Sequence, residues 1–169
     1  MTGSPEVPDR GDELRGLAQD LINSVSTMTL ATSGPDSVWA APVYYVYQEG
    51  RFFFFSKPES RHIGESLAAG FAAAAIHANA ESWQHIRGLQ MSGAICKSGI
   101  GLDAICAVQA YLRKFPFTKE FFKEDQQMDL KGFITRFKVS LYHFTPERVL
   151  YQDNQIRFGF REEISLEPD

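Results

Sequence analysis

Four consecutive aromatic residues, Phe52-Phe53-Phe54-Phe55, run directly into Ser56-Lys57-Pro58-Glu59-Ser60-Arg61-His62. A run this apolar has to be buried, and its composition favours a β-strand. Its exit is the opposite: two hydroxyls, a lysine, an arginine and a histidine gather where a proline turn opens a helix. Backbone N–H groups at a helix start, joined by nearby cations, make an anion site, so a phosphate-bearing ligand is the first expectation. Ser56-x-x-Glu59 reads equally as a capping box, the mark of an ordinary helix start. Arg61 likewise has an alternative partner in Glu65, one helical turn on.

The rest of the chain limits where such a strand can sit. At 169 residues, with 44% hydrophobic and 22% charged, it reads as one globular domain over residues 12–169 behind a loose polar tail at 1–11. A formal charge of −4 argues against a general nucleic-acid binder, which needs a basic face. Cys96 and Cys106 suit neither a disulfide framework nor a zinc site, and are expected as buried free thiols. His62, His77, His85 and His143 show no metal-binding spacing. The N-terminus has no apolar signal core, and no stretch reaches the ~20 apolar residues of a membrane-spanning helix. The expected address is cytoplasmic.

Leu14, Leu17, Ala18, Leu21, Ile22 and Val25 recur at helical spacing. Strands are expected at Thr27–Thr32, Val38–Tyr47 and Phe52–Phe55, with a hairpin at Gln48-Glu49-Gly50-Arg51. Pro42 marks its strand as an edge or a bulge. A helix carrying Ile63 and Leu67 should stop at Gly70. Phe71–Ala78 and Trp83–Lys97 read as strands, the second with Gly88 and Gly93 as bulges or close-approach points. Residues 101–114 and 117–128 read as helices, Phe133–Phe144 as the last clear strand, and Glu147–Phe160 as a shorter pair or extended tail. Few crossover helices among many strands mean a mostly antiparallel sheet, closed into a barrel.

Three further groups bear on chemistry. Arg61 offers a planar fork for phosphate and Lys57 a mobile charge. Arg87 and Gln90 should point to opposite strand faces unless Gly88 bulges, and Gln90 can donate to and accept from a heterocycle edge. A solvated strand face explains these two as well. Ala40-Ala41-Pro42 is a gap in side-chain size against which a flat ligand can lie; packing beneath the first helix accounts for the same residues.

Taken together, Thr29-Leu30-Ala31-Thr32, Ala41-Pro42-Val43-Tyr44-Tyr45, Phe54-Phe55-Ser56 and Ser60-Arg61-His62 resemble the FMN-binding split barrels of the pyridoxamine 5′-phosphate oxidase-like superfamily. Ile86-Arg87-Gly88-Leu89-Gln90, Arg113-Lys114-Phe115-Pro116, and Asp153-Asn154 with Phe158-Gly159-Phe160 are most similar to its YhbP-like subgroup. The likeness runs from about Leu14 onward. It implies a mainly β (α+β) fold: a six-stranded antiparallel Greek-key split β-barrel with flanking helices, dimeric, with FMN in a groove between protomers. By the resemblance, Ala40, Ala41, Pro42, Val43, Tyr44 and Tyr45 lie along the ring and ribityl chain. Phe55 and Ser56 approach the phosphate with Lys57 and Ser60, and Arg61 with His62 takes the clamp pair. The family usually has two basic residues there, so His62 is a departure. Gly88 stands where the oxidases place glutamine beside the position of Arg87, with Gln90 as a substitute contact.

The oxidases hold their pyridoxal substrate with Arg-x-His near the C-terminus, and here Arg157 is followed by Phe158-Gly159. Oxidation of pyridoxamine phosphate is therefore not expected. The expected function is that of a homodimeric FMN-dependent oxidoreductase acting with a small organic substrate or electron donor. No side chain is named as acid or base, because hydride transfer to flavin does not require one. Two alternatives stay open: a non-catalytic flavin- or haem-binding module, and a dimer without cofactor.

Overall fold

A computed structural model describes residues 10–99, 101–121 and 130–166. Helix α1 spans Arg10–Ser24, and strands β1 (Thr27–Ser33), β2 (Val38–Gln48) and β3 (Arg51–Ser56) form a meander. Helix α2 (Arg61–Ala69) leads to β4 (Ala72–His77) and β5 (Arg87–Lys97). Helices α3 (Leu102–Lys114) and α4 (Leu130–Phe137) precede β6 (Ser140–Asp153) and the short β7 (Arg161–Glu163).

The sheet order is β3-β2-β1-β4-β5-β6-β7, and β3 also pairs with β6, closing six antiparallel strands into a barrel. The fourth strand returning beside the first after a three-strand meander is a Greek key. Glu49 and Gly50 both take positive φ (48° and 75°), the conformation that a two-residue hairpin between β2 and β3 requires.

The aromatic run of β3 divides between two cores. Phe52 and Phe54 point into the barrel with Tyr45, Tyr142, Phe144 and Tyr151. Phe53 faces outward beneath α3, packed with Val46, Ala107, Val108, Tyr111 and Leu141. Phe55 meets Tyr111 edge-on at 5.1 Å. Helix α3 is thus the cover that lets β3 be apolar on both faces.

β3 pairs with β2 only over Tyr45–Gln48, whereas β1 pairs with β2 from Val38 to Tyr44. Among the described residues, Val38–Tyr44 therefore has a strand on one side only, and Pro42 sits there, where a missing N–H is tolerated. Gly88 and Gly93 are both close-approach points. A Cβ on Gly88 would come within 2.8 Å of the Ile76 carbonyl, and the register of β5 on β6 shifts between Ser92 and Gly93.

Several expectations need correction. Arg10 and Gly11 belong to α1, while the remainder of the expected tail lies outside the described residues. Trp83–His85 is a turn of 3₁₀ helix, so β5 starts only at Arg87. Residues 116–121 form 3₁₀ turns, and 122–129 lie outside the described residues. Phe133–Phe137 is helical, since a short apolar run fits either period. Strand β6 then absorbs Glu147–Asp153, which was expected as a separate element. Cys96 and Cys106 are free but exposed, because each lies on an outward face of its strand or helix.

Candidate functional site

At the exit of β3, Ser56 is still a strand residue, buried and paired with Ser140 of β6. A turn closed by the Ser60 N–H on the Lys57 carbonyl (3.0 Å) leads into α2. The N-cap is Ser60, and its hydroxyl makes no capping bond; both Ile63 and Gly64 return their N–H groups to its carbonyl. The Ser56–Glu59 capping box therefore does not form. Instead the Ser56 hydroxyl donates to Ser60 Oγ at 3.2 Å and lies 2.9 Å from His62 Nε2. Burial holds the His62 imidazole below its usual pKa, with the Glu65 carboxylate pulling the other way.

Neighbouring positions on a helix point about 100° apart, so Arg61 leaves this cluster for another. Its Nε donates to Glu65 Oε1 at 2.6 Å and its Nη2 to Ser37 Oγ at 2.5 Å, with the guanidinium 4.9 Å from the centre of the Trp39 ring. Glu65 Oε2 in turn accepts from the hydroxyl of Thr32 at 2.6 Å. That bond, and then the one from Arg61, hold the Glu65 carboxyl below the usual carboxylate range. The ion pair expected as the ordinary alternative for Arg61 is present, and the arginine also ties α2 to the β1–β2 turn. Lys57 is exposed on the connecting turn.

Strand β2 supplies the adjoining surface. Ala40 and Pro42 are exposed, so they do not pack beneath α1, while Ala41 is half-buried. Val43 and Tyr45 point into the barrel, which leaves only the outward residues and the backbone edge of β2 accessible. Tyr45 donates to the Ile22 carbonyl at 2.8 Å. Tyr44 is half-exposed and packs against Phe115 and Phe117 at 5.1 and 5.5 Å. The side chain of Phe55 is turned beneath α3.

Arg87 and Gln90 do lie on opposite faces, because no register shift occurs at Gly88. Gln90 is on the outer sheet face, donating to Gln152 at 3.0 Å. Arg87 opens β5 opposite Asp153, a buried residue that accepts from the Tyr151 hydroxyl at 2.8 Å. Burial, and then Asp153, push the Tyr151 phenol well above its ordinary value. Among the described residues, neither Arg87 nor Gln90 makes a hydrogen bond or ion pair with the α2 corner. The structure thus gathers Ser56, Ser60, His62 and, on the other side of the helix start, Arg61, and leaves Arg87 and Gln90 apart.

Two features escaped the sequence reading. Lys114 Nζ donates to the carbonyls of Val25 (2.8 Å) and Ile22 (3.4 Å) and sits 4.1 Å from the centre of the Tyr45 ring. Burial lowers its pKa to about 8. Nothing in the local sequence announces that contact, since its partners lie at the end of α1. The second feature is an exposed aromatic ledge: Trp83 and Phe158 meet edge-on at 5.3 Å. Asn154 fixes it, donating to the Trp83 carbonyl at 2.7 Å and accepting from the Gly159 N–H at 3.0 Å. The turn residues Asp153-Asn154 and Gly159 were its only signal.

No family model matches the chain, and no curated protein does. Solved structures do. A haem-binding protein from Mycobacterium smegmatis is similar at TM-score 0.67 and 17% identity over 94% of this chain, which spans 59% of that protein's length. An FAD-binding protein from Mesorhizobium loti matches at TM-score 0.58 and 10% identity, covering 79% of this chain and 89% of its own. A candidate pyridoxamine 5′-phosphate oxidase from Listeria innocua matches at TM-score 0.62 and 10% identity, covering 83% and 98%. At such identities the likeness establishes the fold, the split barrel that the sequence resemblance implied. Among the described residues no helix is long and apolar enough to cross a membrane.

Proposed function

We propose that this chain is a flavin-binding redox protein, with FMN the cofactor implied by its resemblance, working as a homodimer with a small organic substrate or electron donor. One observation carries the reading: two hydroxyls and an imidazole meet at the start of α2, with the Arg61 guanidinium on the other side of the helix start, beside the one-sided edge of β2. The donor set suits an anionic tail. Ala40 and Pro42 leave room for a flat ring against the β2 backbone.

In this reading Ser56, Ser60 and His62 donate to the anionic end, Arg61 turns to it from the other side of the helix start, and Lys57 adds charge from the turn. The backbone of Ala40–Tyr45 orients the ring, and Tyr44 with Phe115 and Phe117 excludes water from its neighbourhood. A bound flavin would supply the electron-transfer chemistry, and the protein's part is to hold and orient it. A groove shared between protomers accounts for the distance of Arg87 and Gln90 from the corner, since the second chain would bring its own pair to the ligand. The outer faces of β1, β2 and β4 support that association. Ala31, Ala40, Pro42 and Ala73 are exposed there, at strand positions that present a flat surface.

A haem-binding neighbour of the same fold makes a storage or delivery module the second reading. The purified protein should show oxidised-flavin bands that survive desalting after FMN is added. Arg61→Ala should weaken FMN retention by about tenfold or more, through loss of a charge-assisted contact. Flavin bands bleached by a reduced nicotinamide support the enzyme; bands indifferent to it support the module. A protein that retains no flavin sinks both flavin readings.

A further inference from the structure

Lys114 closes α3, and its amine turns toward the end of α1, donating to the Val25 carbonyl at 2.8 Å and the Ile22 carbonyl at 3.4 Å. The centre of the Tyr45 ring lies 4.1 Å away. Carbonyl oxygens at a helix end and an aromatic face both favour an ammonium over a free amine. Burial outweighs them and brings the pKa down to about 8, against the ordinary 10.5. At pH 8 the free base is therefore on the order of a hundredfold more abundant here than in an exposed lysine.

The amine also has room for a reactant. A cavity of about 390 Å³ opens beside it, between the ends of α1 and α3 and strand β2. Small-molecule sites span about 300–1,000 Å³. Val46, Tyr47 and Ala110 give the cavity apolar walls, while Asn23 and Arg113 stand exposed at its rim. Among the described residues no carboxylate pairs with Arg113 or Lys114. In the free amine two hydrogens serve the two carbonyls, and among the described residues no donor occupies the lone pair.

We propose that Lys114 is a Schiff-base site for a small aldehyde carrying an anionic group. The lone pair adds to the carbonyl carbon to give a carbinolamine, and loss of water leaves a C=N bond. Amine and aldehyde become imine and water, with no change of oxidation state. The protonated imine keeps one N–H, which can hold the 2.8 Å bond to Val25 while the longer one to Ile22 is given up. Its positive charge stays over the Tyr45 ring. The apolar walls take the carbon skeleton, and Arg113 takes the anionic end. The residues that line this cavity include none from the α2 corner or from Ala40–Tyr45, so the inference stands apart from the flavin reading.

The experiment treats the full chain at pH 8 with para-carboxybenzaldehyde or benzaldehyde and sodium cyanoborohydride, which reduces the imine to a stable amine. Peptide mass spectrometry then locates and times the label. Lys114 should be labelled at least about tenfold faster than the exposed Lys57 and Lys97, and the advantage should vanish in urea. The carboxylated aldehyde should react there several-fold faster than benzaldehyde. Arg113→Gln should remove that difference and leave the benzaldehyde rate unchanged. The comparison among lysines needs only the wild-type chain, so it holds whatever a variant does to folding. Labelling of Lys114 no faster than of Lys57 and Lys97 overturns the site. Fast labelling with no preference for the carboxylated aldehyde overturns its anionic specificity.

Discussion

Alanine at position 93 would attack the barrel where β5 and β6 cross most closely. The Cβ it adds would stand 2.1 Å from the Thr145 carbonyl oxygen and 2.8 Å from Pro146 Cα. Both obstacles are backbone, so no rotamer change relieves them. The two strands must part by close to an ångström at the point where their register already shifts. Parting there stretches ladder bonds on both sides of the bulge, each contributing about 1 kcal/mol, and overpacking adds about 1–3 kcal/mol. A total loss of about 3 kcal/mol is expected, lowering the melting temperature by roughly 6–12 °C for a chain of this size. Urea unfolding followed by far-UV circular dichroism measures it. Gly16→Ala in α1 is the control, since an added Cβ there meets nothing within 4 Å. That change should stabilise by about 0.5–1 kcal/mol through helix propensity. If Gly93→Ala unfolds within about 0.5 kcal/mol of the wild type, the argument from close backbone approach is wrong.

Lys114 makes stability depend on pH in a definite direction. Its pKa is near 8 in the folded protein against the ordinary 10.5, so the unfolded chain binds more protons between those values and stability should rise with pH from about 8. Partial exposure limits the gain to about 1–2 kcal/mol. Lys114→Met should flatten the rise in urea midpoints measured from pH 7.5 to 9.5. Above about pH 10 the trend should reverse, because Tyr45, Tyr111 and Tyr151 are all pushed upward by burial and an unfolded chain would ionise them first. Asn154→Ala removes the side chain that joins the Trp83 carbonyl to the Gly159 N–H. It should cost about 1 kcal/mol and increase the mobility of Trp83, seen as lower steady-state anisotropy on selective excitation in a Trp39→Phe background. Unchanged anisotropy would mean that the ledge is held by something else.

The barrel was legible wherever one residue type permits one local geometry. Glu49-Gly50 could only turn a tight hairpin, Gly70 could only end a helix, and Pro42 had to fall where a strand lacks a neighbour. The apolar run at β3 was legible as buried, but not as buried on two sides, because the helix that covers its outer face begins some fifty residues later. Helix α4 was misread for a related reason. Phe133-Ile134-Thr135-Arg136-Phe137 satisfies both a period of two and a period near four, and only its surroundings decide. The exposure of Cys96 and Cys106 was hidden in the same way, since which face a strand or helix turns outward is a property of the whole barrel.

The candidate site separates what adjacency in sequence can establish from what it cannot. Ser56, Ser60 and His62 do meet, as their crowding at one turn suggested, because a strand end and a helix start joined by a short turn cannot hold them far apart. Arg61 and His62, read as a pair, point apart in the free chain: the helical step between them sends His62 to Ser56 and Arg61 to Glu65, Ser37 and Trp39. Glu65 was visible in the sequence only as the partner that would make Arg61 ordinary. Its hold on Thr32 and its fit beneath Gly34 come from a strand and turn more than thirty residues earlier in the chain, and they keep the carboxylate in place at this corner. Counting the basic residues of the motif therefore says less about this corner than knowing which carboxylate the fold sets against them, because only the folded strands fix Glu65 beside Arg61.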